Sequence, residues 1–305
     1  MPSPAPRSAT PSSVGPVITA EQVRSFVDDG FLVVPDLVSP LDVQRLRDDA
    51  AALARGKYPC KSLEPMPADY SDLQVLERLL CIHQPHNISP VIREFVFHAG
   101  IVAVLSRIIG AHLAHWNGAV KCMQSMLFIK PPGKPGQAWH QDEIYIPTRD
   151  RSLCGAWIAL DDATEANGCL RVIPGSHRSG YLYPNRAHDD NEEFDFAPES
   201  HGFDASQEIL VQAKAGSVVF FNGYLLHRSK RNRSQVYRRA LVSHYMSMNS
   251  LLPWGVEGRI AKEGLAVAGA DCRAVMPVCG EDPYAWKGYD PLGDNVWLRS
   301  SAQST

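Results

Sequence analysis

Met126-Leu127-Phe128-Ile129-Lys130-Pro131-Pro132-Gly133-Lys134-Pro135-Gly136-Gln137-Ala138-Trp139-His140-Gln141-Asp142 reads as strand, loop and strand. The apolar run gives way to a Pro/Gly-rich segment that neither helix nor sheet ladder tolerates, and extended chain resumes at Trp139. In extended chain, residues i and i+2 leave the backbone on one face, so His140 and Asp142 present an imidazole and a carboxylate side by side. Beside a loop mouth, such a pair supplies two thirds of the 2-His-1-carboxylate set of non-haem iron sites. An H-x-D tripeptide alone is weak, because a surface His beside an Asp is commonly just solvated. A third ligand downstream has to decide.

Short apolar runs continue on both sides of this stretch, at 123–129, 156–160, 170–173, 209–211, 217–221 and 240–245, separated by Gly, Pro, Asn and Asp. Many short strands without intervening helices predict a sandwich or jelly roll and argue against a parallel α/β sheet. Upstream the period is helical. Thr19-Ala20-Glu21-Gln22 has the form of a capping box, Ser39-Pro40 starts a second helix ending near Gly56, and Ser89-Pro90 starts a third segment. Ile101, Val104, Leu105, Ile108 and Ile109 form another amphipathic stripe closed by Gly110. The fold class expected is mainly β with flanking α-helices around a jelly-roll, cupin-like core. A Pro/Ser-rich tail is expected over residues 1–18 and a single domain over 19–305. Within it, residues 19–115 read as helical, 116–250 as the core and 251–305 as an irregular extension. Residues 179–207 read as a long polar insertion able to close over a site.

The chain has 305 residues, 45% hydrophobic and 21% charged, with a net charge of −3. One basic cluster, Arg228-Ser229-Lys230-Arg231-Asn232-Arg233, is too short to suggest nucleic acid. The apolar stretch 101–116 is interrupted by Arg107, His112 and His115 and falls short of a membrane span. Seven cysteines without CxxC spacing point to a reducing compartment, and the N-terminus lacks a signal peptide's apolar core, so a cytoplasmic location is expected.

His227, in Phe220-Phe221-Asn222-Gly223-Tyr224-Leu225-Leu226-His227, is the strongest candidate for the third ligand, since a hairpin can return it to the His140 strand. His177 after Pro174-Gly175 and His244 in Ser243-His244-Tyr245 compete with it. Arg238 opens the strand 238–244 on the face of Ala240 and Val242, which aims its guanidinium inward. Buried there it needs a carboxylate, either from a ligand or from an internal Asp or Glu.

The blocks Gln124-Ser125-Met126-Leu127-Phe128-Ile129-Lys130, Trp139-His140-Gln141-Asp142, Gly155-Ala156-Trp157-Ile158-Ala159-Leu160, Asn167-Gly168-Cys169-Leu170-Arg171-Val172-Ile173-Pro174-Gly175-Ser176-His177, His227-Arg228-Ser229 and Arg238-Arg239-Ala240 stand in an order that resembles the phytanoyl-CoA dioxygenase family. The similarity spans roughly residues 19–250. It implies a double-stranded β-helix, Fe(II) held by His140, Asp142 and His227 as the catalytic centre, and 2-oxoglutarate and O2 as co-substrates. It also implies that Arg238 and Ser229 hold the distal carboxylate of 2-oxoglutarate while Gln124, Met126 and Trp157 line its pocket. The implied reaction hydroxylates an unactivated C–H bond, with 2-oxoglutarate decarboxylated to succinate and CO2. Related halogenases carry a small residue at the carboxylate position, so Asp142 favours hydroxylation. The family's upstream lysine for 2-oxoglutarate finds only Arg78 near Leu79-Leu80-Cys81-Ile82-His83.

Two other readings use the same residues. A zinc hydrolase or isomerase on a cupin-like barrel can share the three ligands but gives Arg238 and Ser229 no duty. A catalytically silent binding protein would be expected to have lost a ligand. Arg149, Arg151, Arg171 and Arg178 near the site suit a small, anionic substrate.

Overall fold

Thr19 and Gln22 close the expected capping box on α1 (Ala20–Asp29), and Gly30 ends that helix at φ 83°, a left-handed conformation that favours glycine. The computed structural model describes residues 18–255 and 269–300, so the tail expected over residues 1–18 lies outside the described residues except for Ile18. β1 (Phe31–Val34) leads to α2 (Pro40–Ala54), capped by Ser39 with proline in its first turn. Next come α3 (Asp72–Glu77), β2 (Leu79–His83), α4 (Pro90–Val96) and α5 (Ala99–Ile108), the last burying Ile101, Val104, Leu105 and Ile108 as the stripe requires.

Each run expected to be extended then forms a strand. β3 (Val120–Lys130), β4 (Gln137–His140), β5 (Cys154–Ala159) and β6 (Leu170–Val172) precede the two-residue strands β7 (Asn185–Arg186) and β8 (Glu199–Ser200). After them come β9 (Ile209–Val211), β10 (Val218–Asn222), β11 (His227–Ser229), β12 (Arg238–Ser247), β13 (Met276–Cys279) and β14 (Trp297–Ser300). The large sheet runs β1-β10-β5-β12-β3-β2-β14 with β13 also on β3, and the small one runs β4-β11-β6-β9. All these pairs are antiparallel.

Alternation along β12 shows how the layers meet. Leu241 and Tyr245 pack into the core shared with the helices, whereas Ala240 and Val242 pack into the core shared with Leu170, Val172 and Val211 of the small sheet. The large sheet is therefore covered on both faces, which is why its inner strands read as nearly unbroken apolar runs. This is the double-stranded β-helix, with helices on one flank and the space between the sheets left for chemistry.

The stretch after Leu252 adds two strands to the large sheet where an irregular extension was expected. β13 pairs with β3 and β14 with β2. Pro277 and the half-exposed sequence Trp297-Leu298-Arg299-Ser300 suit edge strands, which lack the apolar run of an inner strand. The 179–207 insertion is fastened to the loop before β4. Asp195 N–H donates to the Gly136 carbonyl at 2.8 Å, and Gly136 N–H to the Glu193 carbonyl at 2.9 Å.

Candidate metal centre

Antiparallel pairing of β4 with β11 sets His140 directly opposite His227, with ring centroids 4.0 Å apart. The hairpin return expected of His227 is what the register shows. Asp142 starts a single helical turn just past β4, and its Oδ1 lies 3.7 Å from Nε2 of both histidines. One ligand atom from each of the three residues falls within 4.8 Å of the others, on a buried surface.

The backbone decides which imidazole nitrogen faces the site. His140 Nδ1 donates to the Ala138 carbonyl at 2.8 Å and His227 Nδ1 to the Leu225 carbonyl at 2.9 Å. A carbonyl only accepts, so each Nδ1 carries a proton and each Nε2 is the nitrogen left to ligate a metal. Burial, with His227 second, pushes His140 down to about 3, so it is neutral at ordinary pH. Burial also pushes Asp142 up, but the imidazoles of His227, His244 and His140 outweigh it and hold the carboxyl well below its usual range. Two imidazoles that turn Nε2 toward one carboxylate are a donor set for a divalent iron.

The competing histidines have other duties. His244 Nε2 lies 3.0 Å from Asp142 Oδ2, which holds the carboxylate by the oxygen that the site does not use. His177 Nε2 bonds the Val27 carbonyl at 3.0 Å and ties its turn to α1. Partners behind metal ligands typically change affinity 10–100-fold. His244→Ala should therefore weaken Fe(II) by about 10-fold, read by anaerobic titration, with the fold retained by circular dichroism. Gln141, between His140 and Asp142, points the other way. Its amide donates to the Tyr181 and Tyr224 carbonyls at 3.0 and 2.8 Å, clasping the insertion to the β10–β11 turn.

A cavity of about 400 Å³ runs from the triad into the space between the sheets. Gln124, Met126, Trp157, Ser229 and Arg238 all line it, as do His140, Asp142 and His227. Arg238 is buried with its guanidinium 5.7 Å from the Trp157 ring centroid. Its Nε has no partner, and among the described residues no carboxylate pairs with it. Asp161, the carboxylate best placed to do so, is taken by Arg239 through two bonds of 2.8 Å and by Arg47. Burial pushes Arg238 down to about 10.

Lys130 is the residue that the sequence reading missed. It stands opposite Arg238 in the β3–β12 register, and its Nζ donates to Ser229 Oγ at 2.9 Å and to the Lys230 carbonyl at 2.6 Å. Burial, then the charge of Arg238, depress it well below the ordinary lysine range. Arg78, the cation offered by the sequence, instead donates to the Ala54 and Glu64 carbonyls outside the cavity. The signal was strand parity. Gln124, Met126, Phe128 and Lys130 alternate along β3 and all face the cavity.

Gly136 shows how closely the two ends are joined. A Cβ at this position would lie 1.8 Å from the Ser229 carbonyl oxygen, and a backbone atom cannot swing aside. Gly136→Ala should cost about 2–3 kcal/mol by overpacking, seen in denaturant melts, together with weaker 2-oxoglutarate binding as β11 shifts.

The four arginines that suggested an anionic substrate do not line the cavity. Arg149 donates to Tyr284 Oη at 3.1 Å, Arg151 to the His177 carbonyl at 3.1 Å and Arg178 to the Asp28 carbonyl at 2.7 Å, while Arg171 pairs with Glu165 at 2.7 Å.

Comparison with known proteins gives the same answer as the geometry. Residues 26–240 match the family model described as phytanoyl-CoA dioxygenase (PhyH). Phytanoyl-CoA dioxygenase 1 of Oryza sativa subsp. japonica is 31% identical over 257 residues, covering 74% of this chain and 88% of that protein. The peroxisomal phytanoyl-CoA dioxygenase of Homo sapiens is 28% identical, covering 76% and 69%. Among solved structures, EvdO2 from Micromonospora carbonacea var. aurantiaca complexed with 2-oxoglutarate superposes with a TM-score of 0.57 at 25% identity, covering 77% of this chain and 94% of that one. The cytoplasmic expectation is corrected by the relatives from Homo sapiens, Bos taurus, Rattus norvegicus and Mus musculus, all named as peroxisomal. With that match running from Phe26 in α1 to Ala240 beside Arg238, this chain belongs to the phytanoyl-CoA dioxygenase family and is an Fe(II)- and 2-oxoglutarate-dependent dioxygenase.

Proposed function

We propose that His140, Asp142 and His227 hold the Fe(II), that Arg238, Lys130 and Ser229 hold the distal carboxylate of 2-oxoglutarate, and that the enzyme hydroxylates an unactivated C–H bond of a small molecule. The observation that carries this is the pair of buried cations, Arg238 and Lys130, in one cavity with the triad and without an acidic partner among the described residues. A buried cation without an anion is costly, and a guanidinium fork beside a hydroxyl suits a carboxylate. Iron, when bound, couples decarboxylation of 2-oxoglutarate to oxidation of the C–H bond by dioxygen. The protein's share is orientation. Arg238 and Ser229 fix one end of the co-substrate, and the walls formed by Met126, Trp157 and Phe128 keep water from it. His244 holds Asp142 with Oδ1 turned to the metal. An intact Asp142 favours hydroxylation.

A zinc hydrolase would use the triad alone, leaving Arg238 and Lys130 buried with no task. A silent binding protein would not be expected to keep all three ligands. The substrate's charge is a separate matter. Arg228 and Arg299 line the cavity, but each is paired, with Glu208 at 2.7 Å and Asp195 at 2.8 Å. The anionic reading thus loses its support, since the unpaired cations belong to the co-substrate end.

Anaerobic addition of Fe(II) and 2-oxoglutarate should produce the visible charge-transfer band of the chelate, and a metabolite screen should then find compounds that raise succinate release above the uncoupled rate. Absence of the band, with zinc restoring a hydrolytic activity, would count against the oxygenase.

A further inference from the structure

Beyond the triad the cavity opens into a second, solvent-open compartment of about 270 Å³, which shares His83, Gln124, Phe196 and Arg299 with it and is edged by Trp297. Trp297 and Arg299 come from β14, beyond the end of the family match at residue 240. Phe196 comes from the insertion. The wall thus joins β14, which lies outside the family match, to the insertion and to His83 of β2 and Gln124 of β3.

The charges in the compartment cancel. Arg299 Nη1 donates to Asp195 Oδ2 at 2.8 Å and so joins β14 to the insertion across the mouth. Burial, with the charge of Arg299 second, pushes His83 down to about 4, so its imidazole is neutral at ordinary pH. The Gln124 side chain has no hydrogen-bond partner among the described residues. Two large rings complete the wall, Trp297 at 60% exposure and Phe196 at 56%. Aromatic faces left in water beside a cavity, next to uncharged hydrogen-bonding groups, suit a flat molecule with a few polar atoms.

We infer that this compartment selects the substrate, and that the substrate is an uncharged, ring-bearing molecule that stacks on Trp297 and Phe196 and hydrogen-bonds to Gln124 and His83. The inference rests on the oxygenase reading of the adjoining site. A coenzyme A thioester fits poorly, because its phosphates need unpaired cations. The compartment offers only the Arg299–Asp195 pair, and the insertion beside it carries seven carboxylates to one arginine, Arg186.

The test uses the enzyme loaded with Fe(II) and 2-oxoglutarate and compares neutral ring compounds, coumarin and flavone among them, with benzoate and palmitoyl-CoA. Neutral rings should give the largest rise in succinate release. Trp297→Ala and Phe196→Ala should raise their KM at least 10-fold while the chelate band and the KM for 2-oxoglutarate stay unchanged, and Trp297→Phe should restore most of the effect. Preference for palmitoyl-CoA or benzoate, no stimulation by any ring compound, or an unchanged KM in Trp297→Ala overturns the inference and leaves the oxygenase standing. Loss of the chelate band in the unmodified enzyme overturns both.

Discussion

His227→Ala should bind no Fe(II) at concentrations that saturate the unmodified protein and should release no succinate. Structural zinc sites hold their ion with about 10–16 kcal/mol spread over the ligand set, and on that scale one ligand of three accounts for about 3–5 kcal/mol, or roughly 100–5,000-fold in affinity. The fold has little reason to suffer. The backbone of His227 pairs with His140 and Val172 whatever its side chain. Its imidazole makes one hydrogen bond, to the Leu225 carbonyl, besides its contact with Asp142. Nor is a substitute at hand, because His244 already holds Asp142 Oδ2. The check is an anaerobic titration followed through the chelate band, with circular dichroism to confirm the fold. Full activity in this variant would pass the third position to His244 and undo the assignment.

The parts of the fold that could be read from the sequence are those set by local chemistry. Thr19 with Gln22, and Ser39 with Pro40, announce helix starts because the caps satisfy orphan N–H groups nearby in the chain. The inner strands show as apolar runs because both faces of the large sheet are covered. The H-x-D pair could be read because strand parity is a local rule. The same parity puts Lys130 on the cavity face, but its role was not legible, since it depends on facing Arg238 across β3 and β12, a register fixed only when the sheet assembles. β14 was missed for a related reason. An edge strand with a half-exposed pattern has no run to mark it, although it supplies Arg299 and Trp297 to the cavity. His244 reads first as a barrel-lining or core residue and second as a ligand. The structure buries it in the cavity wall, as the first of these readings has it, and adds a contact with Asp142 that local sequence does not show, because the two lie far apart in the chain.

Arg238→Met should lose 2-oxoglutarate affinity by about 100-fold or more, keep Fe(II) affinity, and leave the ligand-free protein at least as stable as before. Truncating one partner of a buried charge pair typically costs about 2–5 kcal/mol of binding, and about 3 kcal/mol is roughly 100-fold. Stability moves the other way. Burial lowers Arg238 from the usual 12.5 to about 10, a depression on the order of 3 kcal/mol against the charged form. For a base lowered by folding, that cost is present in full below the folded value, throughout the neutral range, and fades only as pH rises above it toward the unfolded value. Methionine removes the charge and conserves much of the volume. A residue kept merely to hold the fold would show the opposite, a less stable protein with 2-oxoglutarate and iron weakened together. Thermal melts with and without 2-oxoglutarate separate the two cases: the unmodified protein should gain stability on adding the co-substrate, and Arg238→Met should gain little, because the anion that relieves the buried guanidinium no longer has one to relieve.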